Sequence, residues 1–424
     1  MRLLIKQGRV VDPAAGRDET LDILIEGGKI VAVRPMIEHP EARVINASGR
    51  VVAPGFIDMH VHLREPGQEH KEDIWTASLA AARGGFTSIC AMPNTKPVND
   101  SVDVTSFILT EARKRAVVNV FPIAAITLGL AGDELTPLAE LLEAGAVAFS
   151  DDGRCVQHSG LMLRALEAAS RLGALVIDHC EDVSLSGDGV MHDGEVSRRL
   201  GVSGIPSAAE DVMVARDAIL AAAVPARVHI AHVSTRGAAD VVRAAKLKGV
   251  PLTAEATPHH LVLSDTALEG LDPNLKVNPP LRSPEDVEAL RTAVADGVID
   301  VLATDHAPHA PEEKAAGFEK APFGIDGLET AVPLLLDRLV SGKVISLGRF
   351  IEMFSTAPAR ILGLANKGSL LPGADADVTI LDLEAETVVD VRKFASKSRN
   401  NPFHGWRLRG AAAMTIVAGR LIYP

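Results

Sequence analysis

The sequence predicts an α/β protein: a (β/α)8 TIM-type barrel with a small β-sandwich domain formed by the N- and C-terminal segments. Three observations predict it. Short apolar runs alternate with Ala-rich helical stretches through residues 55–360. Six of those runs end in polar residues, as expected of a barrel whose chemistry sits at the carboxyl ends of its strands. Residues 1–54 and 361–424 differ in texture, with β-branched runs broken by Gly, Asn and Pro. A doubly wound open sheet is the competing arrangement for the same alternation.

At 424 residues the chain is long enough for a large α/β domain plus a smaller one. Aromatic residues make up only 3%, so the core must be built from Ala, Val, Leu and Ile, which suits buried parallel strands covered by helices. The formal net charge of −12 disfavours nucleic acid or an anionic membrane as partner. An anionic substrate must then be held by a few local cations. Three cysteines, Cys90, Cys155 and Cys180, have no disulfide-framework spacing and fit a reducing compartment. The opening MRLLIKQGRVVDP lacks the apolar stretch of a signal peptide, and no apolar run approaches the ~20 residues of a membrane span. The expectation is a soluble, cytoplasmic protein.

In chain order, LLIKQGRVVD, LDILIEGGKIVAV and ARVINASGRVVAP supply the first strands of the small domain. ADVTILDLEAETVVD and AAAMTIVAGRLIYP return to it at the end. The barrel strands are expected at Phe56–His62, Phe86–Met92, Val117–Ile126, Ala146–Asp151, Leu175–His179, Arg227–Val233, Pro251–Glu255 and Val298–Thr304. After the fifth strand, residues 182–209 are irregular and rich in Gly and Ser. After the eighth, HAPHAPEEKAAGFEKAPFG reads as a mobile loop over the barrel mouth.

His60 and His62 are two apart on the first strand, so both imidazoles face the barrel interior and make half of a tetrahedral zinc site. His179 and His232 end the fifth and sixth strands, and Asp305 ends the eighth. Taken singly, each has a bland alternative: a core or surface histidine, or an aspartate capping a loop. Together, at the ends of strands that converge on one face, they predict a metal centre. Asp151 and Asp152 end the fourth strand, and a carboxylate there can bridge two ions; alternation sends one inward without deciding which. Two divalent ions ~3.5–4 Å apart would trap a hydroxide at neutral pH. Asp305 would take the water's proton and pass it to a leaving nitrogen. Zinc is favoured by the imidazoles, with manganese and cobalt as alternatives.

Arg64 follows the histidine pair, Asn94 ends the second strand in MPNT, Asn278 lies in LKVNPPLR and His309 in HAPH. They form a ring of donors suited to a small polar substrate carrying a carboxylate, and the backbone of the Pro322-Phe323-Gly324 stretch could add amide groups to it. Each could instead serve loop structure alone. His259 and His260 in TPHHL are read as structural or as supports behind the ligands, Cys180 as packing, and His158, His192 and His404 receive no role.

GFIDMHVHLREPG, AMPNT, FSDDG, DHCED, AHVST, ATPHHL, NPPLR, TDHAPH and GLET, in this order, resemble the class I (long, bacterial) dihydroorotases of the amidohydrolase superfamily. GADADVTILDL is similar to the return of those enzymes to their small sandwich. The resemblance implies reversible cyclisation of N-carbamoyl-L-aspartate to dihydroorotate in pyrimidine biosynthesis, with one or two Zn2+ per subunit. It assigns His60, His62 and Asp305 to one ion, His179 and His232 to the other, and Asp152 to the bridge. It gives Arg64, Asn94 and His309 to the substrate carboxylate, Asn278 with the Phe323–Gly324 backbone to the ring, and general acid/base work to Asp305. It brings in a homodimer, or an assembly with aspartate carbamoyltransferase, as forms of association. Hydantoinases, allantoinases and short dihydroorotases share the histidines but bridge their metals with a carbamylated lysine on the fourth strand. Here that strand ends Phe-Ser-Asp-Asp, without lysine. A non-catalytic subunit that has lost its ligands is the remaining rival, and every expected ligand is present.

Overall fold

The structure, a computed structural model, describes residues 2–424. All eight expected barrel strands form, as Phe56–Val61, Phe86–Ala91, Asn119–Ala124, Ala148–Phe149, Leu175–Asp178, Arg227–Ile230, Leu252–Ala256 and Val301–Leu302. They pair in parallel in sequential order. Closure comes from the residues just beyond the eighth strand. Val61 bridges His306 in parallel, and the His62 amide donates to the His306 carbonyl at 2.9 Å. Asp58 accepts from the Thr304 amide at 3.1 Å and its hydroxyl at 2.6 Å. These bonds join the last strand to the first, so the sheet is a closed barrel and the open-sheet alternative fails.

The ladders stop just before the polar residues that end the expected strands. There the backbone leaves extended geometry. Arg64, His232 and Asp305 have φ of 62°, 31° and 46°, left-handed values that non-glycine residues rarely adopt. Strain of this kind gathers where side chains must be aimed against local preference.

Helices Ile74–Gly84, Val102–Arg115, Ser159–Leu172, Ala208–Ala223, Arg236–Leu247 and Pro284–Ala295 cover the outside. Their inward residues are largely small: Ala77, Ala80 and Ala81 on the first, Ala165 and Ala169 on the third. Four of the few aromatic residues cluster at the other end of the barrel. Phe56 and Phe86 open the first two strands and pack with Phe350 and Phe354 at ring separations of 5.2–6.3 Å. The amino-terminal mouth is therefore plugged by apolar side chains, leaving the carboxyl end for chemistry.

The terminal strands form one mixed eight-stranded sheet. Arg2–Asp12 pairs in parallel with Val51–Pro54 and Arg43–Asn46, and antiparallel with Arg17–Glu26, which carries Lys29–Arg34. From the chain's end, Val378–Val388 pairs antiparallel with Val51–Pro54, followed by Arg407–Val417 and Arg420–Tyr423. Leu3, Ile5, Ile23, Val52, Val378, Ile380 and Ile416 fill a core separate from that of the barrel.

Both irregular segments carry structure that the sequence did not reveal. Residues 182–209 hold helices Val183–Ser186 and Glu195–Leu200 and a two-stranded parallel sheet of Met191–His192 and Gly204–Ile205. The segment after Asp305, expected to be mobile, is pinned: Lys314, at the end of helix Pro311–Lys314, is buried and bonded to three backbone carbonyls. No helix among the described residues is long and apolar enough to cross a membrane.

Candidate active site

At the carboxyl end of the barrel lies a cavity of about 200 Å³. Arg64, Asn94, Asp152, His179, His232, Asn278, Asp305, His309, Phe323 and Gly324 line it together with His62. His60 sits beneath its floor, fully buried. The structure thus gathers the twelve residues that the resemblance assigned to the site.

The strand alternation left Asp151 and Asp152 undecided. Asp151 turns away, accepting from the Ile126 amide at 2.8 Å, the Thr127 amide at 3.0 Å and the Thr127 hydroxyl. Asp152 turns into the site. Its Oδ1 lies 3.3 Å from His60 Nε2, 3.8 Å from His232 Nε2 and 3.9 Å from His179 Nδ1, and its Oδ2 lies 3.5 Å from His62 Nε2. Asp305 Oδ1 stands 3.1 Å from His62 Nε2 and 3.5 Å from His60 Nε2. Two compact sets result, His60–His62–Asp305 and His60–Asp152–His232, with His179 Nδ1 2.8 Å from His232 Nε2.

These donors fit a divalent metal. His60 Nε2 is buried with no hydrogen-bond partner, although two carboxylates surround it. Ligand atoms around tetrahedral zinc at ~2.0–2.2 Å stand about 3.3–3.6 Å apart, close to the separations above. The far nitrogens are tied outward: His60 Nδ1 pairs with Glu255 at 2.7 Å and His62 Nδ1 with Asn94 Oδ1 at 2.8 Å. Such outer bonds fix the tautomer and aim Nε2 inward. His179 reverses the pattern, with Nε2 held by Glu181 at 3.1 Å and Nδ1 facing the site.

The electrostatics express the same demand for positive charge. Burial raises the pKa of Asp305, but His60, His62 and His232 overcome it and hold the carboxyl well below its usual range. Asp152 is lowered in the same way, chiefly by His60. For His60, burial opposes protonation, yet Asp152, Glu255 and Asp305 push its pKa well up. His179 rises to about 9 against its own burial, through Glu181 and Asp152. Protons on the imidazoles, or a divalent cation, supply the charge these carboxylates require.

The upper wall differs. Burial, then Arg64 and Lys314, depress His309 to about 2, so it is a neutral imidazole bonded to the Phe323 carbonyl at 2.8 Å. Burial lowers Arg64 to about 10, which leaves it charged, and its Nε donates to the Pro308 carbonyl at 3.1 Å. Gly324 has φ of 148°, and a Cβ there would stand 2.6 Å from the Ala307 carbonyl, so only glycine lets this wall approach.

Several carboxylates went unrecognised in the sequence. Glu255 bonds His60, His229 at 3.1 Å and the His232 amide at 3.2 Å. Glu181 accepts from Asn278 at 2.8 Å as well as holding His179. Glu210 accepts from the Ser234 amide and hydroxyl, steadying the loop after His232. His260 is held between Thr257 and the Pro279 carbonyl, a structural placement. A third cluster, Asp178–Cys180–Asp217, already contains a cation: Arg216 donates to Asp178 at 3.0 Å and to Asp217 at 2.8 Å.

A closed parallel barrel with imidazoles and carboxylates converging at its carboxyl mouth is consistent with a metal-assisted hydrolase, and an "Amidohydrolase family" model matches residues 194–423, so the chain is an amidohydrolase. The solved L-hydantoinase (dihydropyrimidinase) of Arthrobacter aurescens superposes with a TM-score of 0.90 at 28% identity, covering 99% of this chain and 96% of that one. A "Dihydro-orotase-like" model matches residues 49–238. The dihydroorotase of Pelotomaculum thermopropionicum is 54% identical over 422 residues, covering 100% of this chain and 98% of that protein. That of Geotalea daltonii is 52% identical over 424 residues, covering 100% and 99%. The chain belongs to the dihydroorotase family.

Proposed function

We propose that the protein interconverts N-carbamoyl-L-aspartate and (S)-dihydroorotate plus water, as a step of de novo UMP synthesis. The observation that carries this reading is the placement of Asp305 against both His60 and His62 at the floor of a cavity whose wall holds Arg64. His60, His62 and Asp305 would hold one Zn2+, His179 and His232 a second, with Asp152 between them. When bound, the metal supplies Lewis acidity, acidifying water and polarising a carbonyl oxygen.

In the hydrolytic direction the oxygen of water bonds to the ring carbonyl carbon and the ring C–N bond breaks. Asp305 accepts the proton that water loses and delivers it to the leaving nitrogen; cyclisation is the reverse. Asp305 is ionised beside His60, His62 and His232, so at neutral pH its oxygens are free of a proton and can take up this role. Arg64, fixed by the Pro308 carbonyl, faces the substrate carboxylate, with Asn94 and neutral His309 beside it. Asn278, whose amide nitrogen is committed to Glu181, turns its remaining polar edge to the ring, against the Phe323–Gly324 backbone.

A hydantoin hydrolase is the closest alternative, given the solved structures that share the fold. Against it stands the fourth strand, where Asp152 rather than a lysine enters the site. Assaying dihydroorotate and hydantoin side by side, with zinc analysis of the same preparation, tests the proposal. Dihydroorotate turnover by zinc-bearing protein is expected, and turnover of hydantoin alone would overturn it.

The separate terminal core supports reading residues 1–54 with 361–424 as one domain and 55–360 as the catalytic barrel. Three buried, unpaired cysteines support a cytoplasmic location. For association we propose a homodimer or an assembly with aspartate carbamoyltransferase, to be distinguished by sedimentation with and without that enzyme.

A further inference from the structure

Two buried lysines stand above the substrate cavity, and no step of the proposed reaction uses them. Lys314 is 6% exposed, and its ammonium donates to the carbonyls of Pro273 at 2.9 Å, Lys276 at 3.3 Å and Pro322 at 2.8 Å. Lys276 donates to the Glu319 carbonyl at 2.8 Å and lies 4.6 Å from the Phe323 ring centroid and 5.7 Å from that of Phe318. The two side chains reach in opposite directions between the same two stretches of chain. One stretch, 273–278, ends in Asn278. The other, 310–324, ends in Phe323 and Gly324. The Gly324 amide donates to the Lys276 carbonyl at 2.8 Å, so the stretches also meet directly.

We propose that Lys314 is a positioning residue for substrate: its ammonium draws Pro322 and Lys276 together and so sets the gap between Asn278 and the Phe323–Gly324 backbone. The inference rests on the reading of that gap as the ring-binding wall. A single cation satisfying three carbonyls from two segments is a geometric clamp, because each N–H···O bond has a narrow distance and angle range. Burial opposes the charge on this ammonium, as does Lys276, and its three carbonyl acceptors offset that desolvation cost. A surface lysine gripping one carboxylate would fix neither segment. Lys314 donates to no candidate metal ligand, so its loss should leave the chemical step intact and act on the substrate-binding wall.

The test uses the full-length zinc-loaded enzyme with Lys314→Met, which keeps the buried stem and removes the donors, and Lys314→Arg, which restores a cation. Phe318→Ala loosens the same segment by removing an apolar contact, and it carries the test if Lys314→Met does not fold. The expected result for Lys314→Met and Phe318→Ala is a KM for dihydroorotate raised about tenfold or more, with kcat within about threefold. Zinc content should be unchanged, amide exchange should quicken in both 273–278 and 310–324, and Lys314→Arg should recover most of the KM. A fall in thermal midpoint with KM unaltered, or a loss confined to kcat, would overturn the inference. A wild type that does not turn over dihydroorotate would instead overturn the reaction assigned to the cavity.

Discussion

Glu255 is the best place to test how the protein aims its metal ligands. It is fully buried on the seventh barrel strand. Its Oε1 pairs with His60 Nδ1 at 2.7 Å and accepts from the His232 amide at 3.2 Å, and its Oε2 pairs with His229 at 3.1 Å. Glu255 thus holds the ring of His60 on one side of the candidate site and the backbone of His232 on the other, so its loss should disturb both candidate ligand sets. A hydrogen bond to a charged group contributes ~1.5–3 kcal/mol, and changes to partners of metal-bound histidine cost ~10–100-fold in affinity. At ~1.4 kcal/mol per tenfold these two figures agree. Glu255→Gln keeps an acceptor for His60 but removes the negative charge, so the expected loss of zinc affinity is about tenfold. Glu255→Ala removes the acceptor altogether and leaves His60 Nδ1 and His229 Nε2 without it, so affinity should fall toward ~100-fold, with ~1–3 kcal/mol of stability lost as well. Zinc competition against a chromophoric chelator gives the affinity, and urea unfolding of the metal-free protein gives the stability. Thr253→Val, which touches His229 only from its far side at 2.8 Å, should change affinity little. If Glu255→Ala bound zinc within about twofold of wild type, His60 would not be oriented through this carboxylate and the account of the floor would fail.

Other expected outcomes follow from the same geometry. Asp305→Asn should retain zinc, since an amide oxygen remains beside His62, yet lose nearly all turnover; full activity by steady-state assay would remove Asp305 from the proton path. Asp152→Ala should lose zinc, whereas Asp151→Ala should keep zinc and lower the thermal midpoint, because the Asp151 carboxylate serves the 126–127 amides and the Thr127 hydroxyl; the reverse result by metal analysis would exchange the two roles. Glu329 should give a pH-dependent stability. Burial and nearby Asp326 raise its pKa to about 8, outweighing the Ser396 and Ala395 amides and Arg83, against ~4.3 in an unfolded chain. The native state then holds the proton more tightly, so this contribution is complete below pH ~4.3 and is lost as pH rises toward 8. Urea unfolding should show wild type losing stability relative to Glu329→Gln across that window; a difference independent of pH would refute it.

How much of this was legible beforehand depended on how far each residue's role reaches along the chain. His60 and His62 were readable because strand alternation is local: two positions apart means one face. His179, His232 and Asp305 were readable only as a set, because each sits at a strand end and the barrel makes strand ends neighbours. Asp151 and Asp152 were not separable, since alternation states that they diverge and not which enters; the answer lay in three donors at residues 126 and 127. Glu255 had no signal at all. In PLTAEATPHH it resembles any polar strand residue, and its importance comes from His60, 195 positions away. The segment around Lys314 misled: HAPHAPEEKAAGFEKAPFG reads as a mobile loop, and only the bonds of Lys314 to the carbonyls of Pro273, Lys276 and Pro322 show it pinned.

Barrel closure and site geometry rest on the same contacts in this protein. Asp305 reaches His62 across 243 positions of sequence because the last strand is sewn to the first by Asp58 on Thr304 and by His62 on His306. Asp58 also accepts from the His60 amide at 3.2 Å, so the residue that holds Thr304 holds the backbone of a ligand too. Its burial lifts its pKa to about 6 despite those donors, which places the cost of a buried carboxyl at the seam itself. That seam does more than complete a cylinder. Any sliding of the eighth strand along the first would carry Asp305 away from the two histidines in step, because a parallel ladder shifts as a unit. The hydrogen bonds that define the fold therefore also set the spacing of the candidate ligands, and a metal held as proposed by Asp305 and the His60–His62 pair would tie the same two strands together a second time.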